Sequence, residues 1–190
     1  APYTGGIEPA DWPRIHGQLL VYLELIVKWN ARVNLTAIRT PEEIVRRHFG
    51  ESLFVGAHLG PCTTLLDYGS GAGFPALPIQ ILRPDIQVTL AESRTRKVAF
   101  LREVVRTLKL STEIWPHRVD AMPENRAFEA VTLRAVEDMP AAIAAAALRC
   151  HRKLLILGML DVRIPSEFGL EEAIPLPESH DAALIIARRR

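Results

Sequence analysis

The run Leu65-Leu66-Asp67-Tyr68-Gly69-Ser70-Gly71-Ala72-Gly73 constrains this chain more than any other. An apolar stretch ends in an acid and opens at once onto three alternate glycines, the pattern of a strand feeding a tight turn. Only glycine lets the main chain reverse that sharply, because positive φ is accessible and no Cβ stands between backbone and ligand. The spacing also discriminates between cofactors. A dinucleotide fingerprint runs G-x-G-x-x-G, and the sixth position counted from Gly69 is Phe74, too bulky for the helix packing that the third glycine serves. NAD is thereby disfavoured and S-adenosylmethionine, which needs no pyrophosphate cradle, is favoured. Residues 86–91 then read as the next strand, ending at Glu92, whose carboxylate can accept both ribose hydroxyls. That spacing suits an NAD ribose equally, so Glu92 argues for a nucleoside and not for one cofactor. The plain alternatives are an ordinary strand-to-helix turn and a solvated strand end.

From residue 64 onward strands and helices alternate. Strands are expected over 64–68, 86–91, 112–115, 129–133 and 153–157, with helices over 74–82, 95–108 and 139–148. Such alternation implies a parallel sheet with helices on both faces and ligands beyond the carboxyl ends of the strands. Gly69, Glu92, Asp120 and Arg134 fall at those ends. Segments 170–176 and 182–187, joined by a turn at 177–181, read as a closing hairpin. The expected fold is α/β, the Rossmann-like sheet of class I methyltransferases, with seven mostly parallel strands and a C-terminal antiparallel hairpin. Ahead of the sheet, residues 11–28 carry a helical stripe that includes Ile15, Leu19, Tyr22 and Ile26. Thr40-Pro41-Glu42-Glu43 is a capping box that starts a second helix running through His48 and Leu53. The chain thus divides into an N-terminal helical appendage, 1–60, and a cofactor-binding domain, 61–190.

With 190 residues and 48% hydrophobic content the chain can bury a substantial core. Its apolar runs are broken by charge before bilayer length and no secretion signal is evident, so no membrane association and a cytoplasmic location are expected. Cys62 and Cys150 read as packed thiols, and the six histidines lack ligand spacing, so no metal is expected. The net charge of +1 hides a local excess. Arg94, Arg96, Lys97, Arg102, Arg106 and Lys109 face only Glu103, and the chain closes on Arg188-Arg189-Arg190. A basic face beside the site suits phosphates. A solvated helix face is the alternative, and no aromatics interleave to form a stacking platform.

Several further segments carry a family resemblance. Trp29-Asn30-Ala31-Arg32-Val33-Asn34-Leu35-Thr36-Ala37 is similar to a W-N-x-x-x-N-L-T-A pattern, and Arg47 to Leu53 to R-H-x-x-D-S-L, with Glu51 replacing aspartate. Lys97 to Leu101, Arg118-Val119-Asp120 and Arg134-Ala135 match later segments. Together these resemble the bacterial small-subunit (16S) ribosomal RNA guanine-N7 methyltransferase family, RsmG or GidB, from about Leu19 to Leu157. Three departures stand out: Leu133 in place of a serine, Gly158 where a lysine is expected, and a short stretch before the final hairpin.

The resemblance implies methyl transfer from S-adenosylmethionine to guanine N7 in ribosomal RNA or the small ribosomal subunit; separately, a monomer is expected. Guanine N7 has an in-plane lone pair and no hydrogen, so no catalytic acid, base or nucleophile is assigned. Gly69, Ser70 and Gly71 would hold the methionine part with Phe74 packed beside it, Glu92 the ribose, and Val119 with Asp120 the adenine. Arg134 would hold the methionine carboxylate or an RNA phosphate, or else pair structurally with Glu137 or Asp138. Arg47 with Arg94, Arg96 and Lys97 would contact RNA phosphates. Asn34 and Thr36 are expected to lock the N-terminal helices, and His48 to be a satisfied buried histidine. Rival readings are a methyltransferase acting on a small molecule or protein, and a catalytically silent RNA-binding relative.

Overall fold

The computed structural model describes residues 9–177, 179 and 181–190. Helix α1 (Trp12–Asn30) leads to a continuous helical segment made of α2 (Pro41–Glu43), a π-helical turn (Ile44–Phe49) and α3 (Gly50–His58). The remaining elements alternate: β1 (Thr64–Tyr68), α4 (Ala76–Leu82), β2 (Gln87–Ala91), α5 (Thr95–Leu108), β3 (Glu113–Trp115), β4 (Phe128–Arg134), α6 (Met139–Arg149) and β5 (Cys150–Gly158). Strands β6 (Phe168–Pro175) and β7 (Ala183–Arg189) close the chain. One seven-stranded sheet results, in the order β3-β2-β1-β4-β5-β7-β6. Strands β1 to β5 pair in parallel, and β7 runs antiparallel to both β5 and β6. The strand order reverses between β1 and β4, which opens a crevice at their carboxyl ends.

Successive side chains of a strand point to opposite faces, and β1 shows the consequence. Leu65 enters a core with Ile15, Tyr22, Ile26, Leu77 and Phe100, while Leu66 enters a second core with Ile143, Ala146 and Phe168. A sheet buried on both faces needs near-continuous apolar strands, as Leu154-Leu155-Ile156-Leu157 supplies. The N-terminal helices therefore share the first core with α4 and α5. Trp29 Nε1 donates to Glu103 of α5 at 3.0 Å, so the lone acid of that basic helix anchors α1.

Local chemistry sets the helix ends. Thr40 Oγ1 accepts from the Glu43 N–H and donates to Glu43 Oε2, as the capping box requires. Asp138 caps α6 by accepting from Ala141 N at 3.1 Å. The other end of α6 is covered by Arg189, which donates to the carbonyls of Ala147 and Cys150, while Arg188 pairs with Glu171. Two of the three terminal arginines are thus structural and add nothing to a face beside the crevice. The second helix differs from the expected uninterrupted α-helix. Buried Ile44 and Phe49 lie five residues apart, and a π turn brings such a pair to one side where α geometry would separate them. Helix α4 starts at Ala76, two residues later than expected, because the glycine turn extends through Pro75.

Candidate active site

At the end of β1, Gly69, Gly71 and Gly73 all adopt positive φ, at 68°, 58° and 91°. Gly73 also has no room for a side chain: a Cβ there would collide with Leu77 Cδ1 and lie 2.6 Å from the Tyr22 hydroxyl. That hydroxyl donates to the Ala72 carbonyl, so α1 holds the turn from behind. Ser70 N donates to the Ala91 carbonyl at 3.0 Å, tying the turn to the end of β2.

Glu92 is buried and links two main-chain segments. Its Oε2 accepts from Gly71 N at 2.9 Å and its Oε1 from Arg94 N at 2.8 Å, at the start of α5. Each oxygen retains a lone pair for a further donor. A 570 Å³ cavity opens in front, with Tyr68, Gly69, Glu92, Lys97, Val119 and Asp138 in its wall. A second cavity, of 530 Å³, lies on the other side of Ala135 and is lined by Arg47, Glu51, Arg134, Gly158, Leu176 and Asp181 among others. Ala135 borders both cavities and has φ of 50°, the left-handed region that alanine rarely enters.

Arg134 ends β4 and is nearly buried. Its Nη2 donates to Glu51 Oε2 at 2.6 Å, its Nη1 donates to His48 Nδ1 at 2.9 Å, and the guanidinium lies 5.9 Å from the centre of the Phe74 ring. His48 stacks on Phe74 at 4.6 Å, and its Nε2 lies 2.7 Å from Thr36 Oγ1. Burial, then the charges of Arg134 and Arg47, push the His48 imidazole down to about 3. Beneath the turn, Asp67 Oδ1 accepts from Thr132 Oγ1 at 2.7 Å, and Oδ2 has no partner among the described residues. Burial raises the Asp67 carboxyl to about 7; the Thr132 and Ser70 hydroxyls and the Arg134 charge resist this, and the Glu92 charge adds to it. Among the described residues no cluster of His, Cys, Asp or Glu could hold a metal ion, and no helix is long and apolar enough to cross a membrane.

Residues 15–157 match the model of the GidB family, rRNA small subunit methyltransferase G. The chain belongs to this family. A protein named ribosomal RNA small subunit methyltransferase G from Nitrosomonas eutropha is 34% identical over 179 residues, covering 88% of this chain and 83% of the relative. Proteins of the same name from Xanthomonas euvesicatoria and Chromobacterium violaceum are 42% and 44% identical, over 66% and 62% of this chain. The chain spans only 59% and 57% of those two relatives. Among solved structures, the 16S rRNA methylase RmtB superposes with a TM-score of 0.61 at 10% identity, covering 92% of this chain and 75% of that one. The mitomycin 7-O-methyltransferase MmcR gives 0.65 at 14% identity, covering 95% and 67%. Both likenesses show a class I methyltransferase fold.

Within this GidB-family fold the expected site residues separate into groups. Gly69, Glu92, Val119, Arg94 and Lys97 border the first cavity, with Ser70 and Gly71 in the turn behind it. Phe74 is not in that wall; it packs against Tyr22, His48 and Phe49 on the side of the N-terminal helices. Asp120 is also outside the wall, exposed and paired with Arg118 at 3.0 Å. Arg134 faces the second cavity with Arg47, and its structural partner is Glu51, not Glu137 or Asp138. Arg96 is exposed on α5 and borders neither cavity. Asn34 accepts from Arg39 at the surface, and the N-L-T-A turn is held instead by Asn30, whose Oδ1 accepts from Leu35 N and Thr36 N. Asn30 sits in the W-N pair, and a buried asparagine at a helix end is the sequence signal that marks it.

Proposed function

We propose that this chain transfers a methyl group from S-adenosylmethionine to N7 of a guanine in small-subunit ribosomal RNA. The reading rests on one arrangement in a member of the GidB family: two cavities of ligand size that meet at Ala135, one backed by the glycine turn and Glu92, the other bordered by arginines. The residues present fit the cofactor. The Gly69-Ser70-Gly71 main chain would hold the methionine part, Glu92 would accept from the ribose with its spare lone pairs, and Val119 offers an apolar wall to adenine. When bound, S-adenosylmethionine supplies an electrophilic methyl on a sulfonium.

The protein's own tasks are alignment and charge placement. A guanine N7 already carries its lone pair, so no side chain needs to remove a proton. Positive charge grows on the base during transfer, and an uncompensated cation beside it would oppose the reaction. The Glu51 carboxylate against Arg134 removes that objection while leaving the guanidinium in the wall. Arg47, Arg94, Arg96 and Lys97 would attract RNA phosphates by long-range charge. The segment before residue 60 would contribute Arg47 and Glu51 to the second cavity, which Arg134 of β4, Gly158 of β5 and the closing hairpin complete. We place the protein in the cytoplasm as a monomer, acting on ribosomal RNA or the small ribosomal subunit.

The test is transfer of a labelled methyl into ribosomal RNA or small subunits from cells lacking the protein, with N7-methylguanosine located by aniline cleavage. A single labelled guanine supports the reading. Incorporation into a metabolite or protein fraction instead, or none at all despite tight cofactor binding, overturns it.

A further inference from the structure

The polar groups of the N-terminal helices converge on one atom group, the Arg134 guanidinium. Arginine has five N–H donors and accepts nothing, so His48 Nδ1, 2.9 Å from Nη1, must carry no proton. A neutral ring then bears its hydrogen on Nε2, which donates to Thr36 Oγ1 at 2.7 Å. A protonated ring would set N–H against N–H. Thr36 is fixed in turn, because its N–H donates to Asn30 Oδ1 at 3.1 Å and its Oγ1 also accepts from Ile38 N at 3.2 Å. Phe74 holds the ring plane by stacking at 4.6 Å. A chain of defined donors and acceptors therefore runs from the end of α1 through Thr36 and His48 to the end of β4, and Glu51 grips the other terminal nitrogen of the same arginine.

We infer that His48, as the neutral Nε2–H tautomer, and Glu51 are positioning residues that aim Arg134 into the second cavity, where its remaining donors take a phosphate of the RNA substrate. The inference deepens the proposed methyl transfer and rests on it for the identity of the anion. Its geometry does not: the tautomer and the grip on Arg134 stand whatever the substrate is. The phosphate is favoured over the cofactor's carboxylate because Arg134 borders the cavity with Arg47 and not the cavity with Glu92. The charged groups facing His48 are Arg134 from β4 and Arg47 from its own helix, both opposed to a second positive charge.

Two measurements test it. In long-range proton–nitrogen spectra of histidine-labelled protein, His48 should show a bare Nδ1 and a protonated Nε2 with no titration between pH 5 and 8. An Nδ1–H tautomer, or a titration midpoint in that range, overturns the assignment even if no methyl transfer is ever detected. In the transfer assay, His48→Leu should lower kcat/KM for RNA about tenfold while the cofactor Kd stays within about twofold, and Arg134→Lys should lose the fork with a similar penalty. Combined, the two should cost scarcely more than either alone, since His48 acts through Arg134. Penalties that multiply, or a tenfold loss of cofactor affinity in His48→Leu, overturn the positioning role. Absence of transfer by the unmodified protein sinks the proposed function and leaves the tautomer to be judged by the spectra.

Discussion

Asp67 offers the sharpest quantitative prediction, because its carboxyl is buried beneath the glycine turn with one oxygen unpartnered among the described residues. Folding holds its proton up to about pH 7, whereas the unfolded chain releases it near the ordinary value of 3.8. Between those limits the folded state binds more protons, so stability falls as pH rises from about 4 to 7 and levels off above. At 1.36 kcal/mol per pH unit, the span amounts to about 4 kcal/mol. Asp67→Asn removes the ionisation and keeps an oxygen for Thr132. It also places an amide where Oδ2 had no partner, a cost of about 1–3 kcal/mol that does not vary with pH. The stability of the variant minus that of the unmodified protein should therefore climb by about 4 kcal/mol from pH 4 to 8, most of it between pH 5 and 7. Urea unfolding at constant ionic strength measures the difference directly. Glu113 and Glu171, held below the usual carboxylate range by hydrogen bonds from Arg126 and Arg188, lose stability as pH falls, but they do so in both proteins and cancel. A difference that stays flat within about 1 kcal/mol across the range would refute the claim that burial governs this carboxyl.

Four other variants probe the turn, the second cavity and the basic rim. Gly73→Ala should cost about 3 kcal/mol or more by thermal or urea unfolding, because its Cβ collides with Leu77 and Tyr22 at a backbone angle hostile to alanine; a loss below about 0.5 kcal/mol would show the contact to be soft. Gly158→Ala, with nothing within 4 Å of its added Cβ, should change stability by less than about 0.5 kcal/mol in the same assay. Glu92→Gln replaces one acceptor oxygen by an amide and should weaken S-adenosylmethionine about tenfold in calorimetry, the scale of a lost charged hydrogen bond; an unchanged Kd removes Glu92 from the cofactor site. Replacing Arg94 and Arg96 together by Glu should make log K for RNA less steep against log salt by about 1–2, and an unaltered slope would exclude both from phosphate contact.

What the sequence revealed and concealed divides along physical lines. Strand and helix patterns are local, so β1 and α5 fall on the expected residues, Thr64–Tyr68 and Thr95–Leu108, and the capping box at Thr40 forms as read. The glycine turn was equally legible, since only glycine tolerates its backbone. Pairings between distant segments were not. Arg134 meets Glu51 across 83 positions and His48 across 86, and no periodicity marks such partners; the alternative of pairing with Glu137 or Asp138 does not form. The terminal arginines misled for the same reason, because charge counts do not show that Arg189 spends its donors on helix carbonyls.

Nothing in the sequence marks Ala135 either. A left-handed alanine costs about 1–2 kcal/mol, and its composition announces nothing of the kind. Its neighbours explain why the fold sustains it: Arg134 is drawn toward α3 by Glu51, while Asp138 three residues on is committed to capping α6. The chain must turn sharply between those two fixed points. That turn lies at the crevice where the strand order reverses, and it forms the ridge that both cavities share. The strain and the division of the site therefore have one origin, the pull of the N-terminal helices on the end of β4. By this logic the segment before residue 60 completes the second cavity, since Glu51 and His48 are the side chains that hydrogen-bond the arginine at its edge.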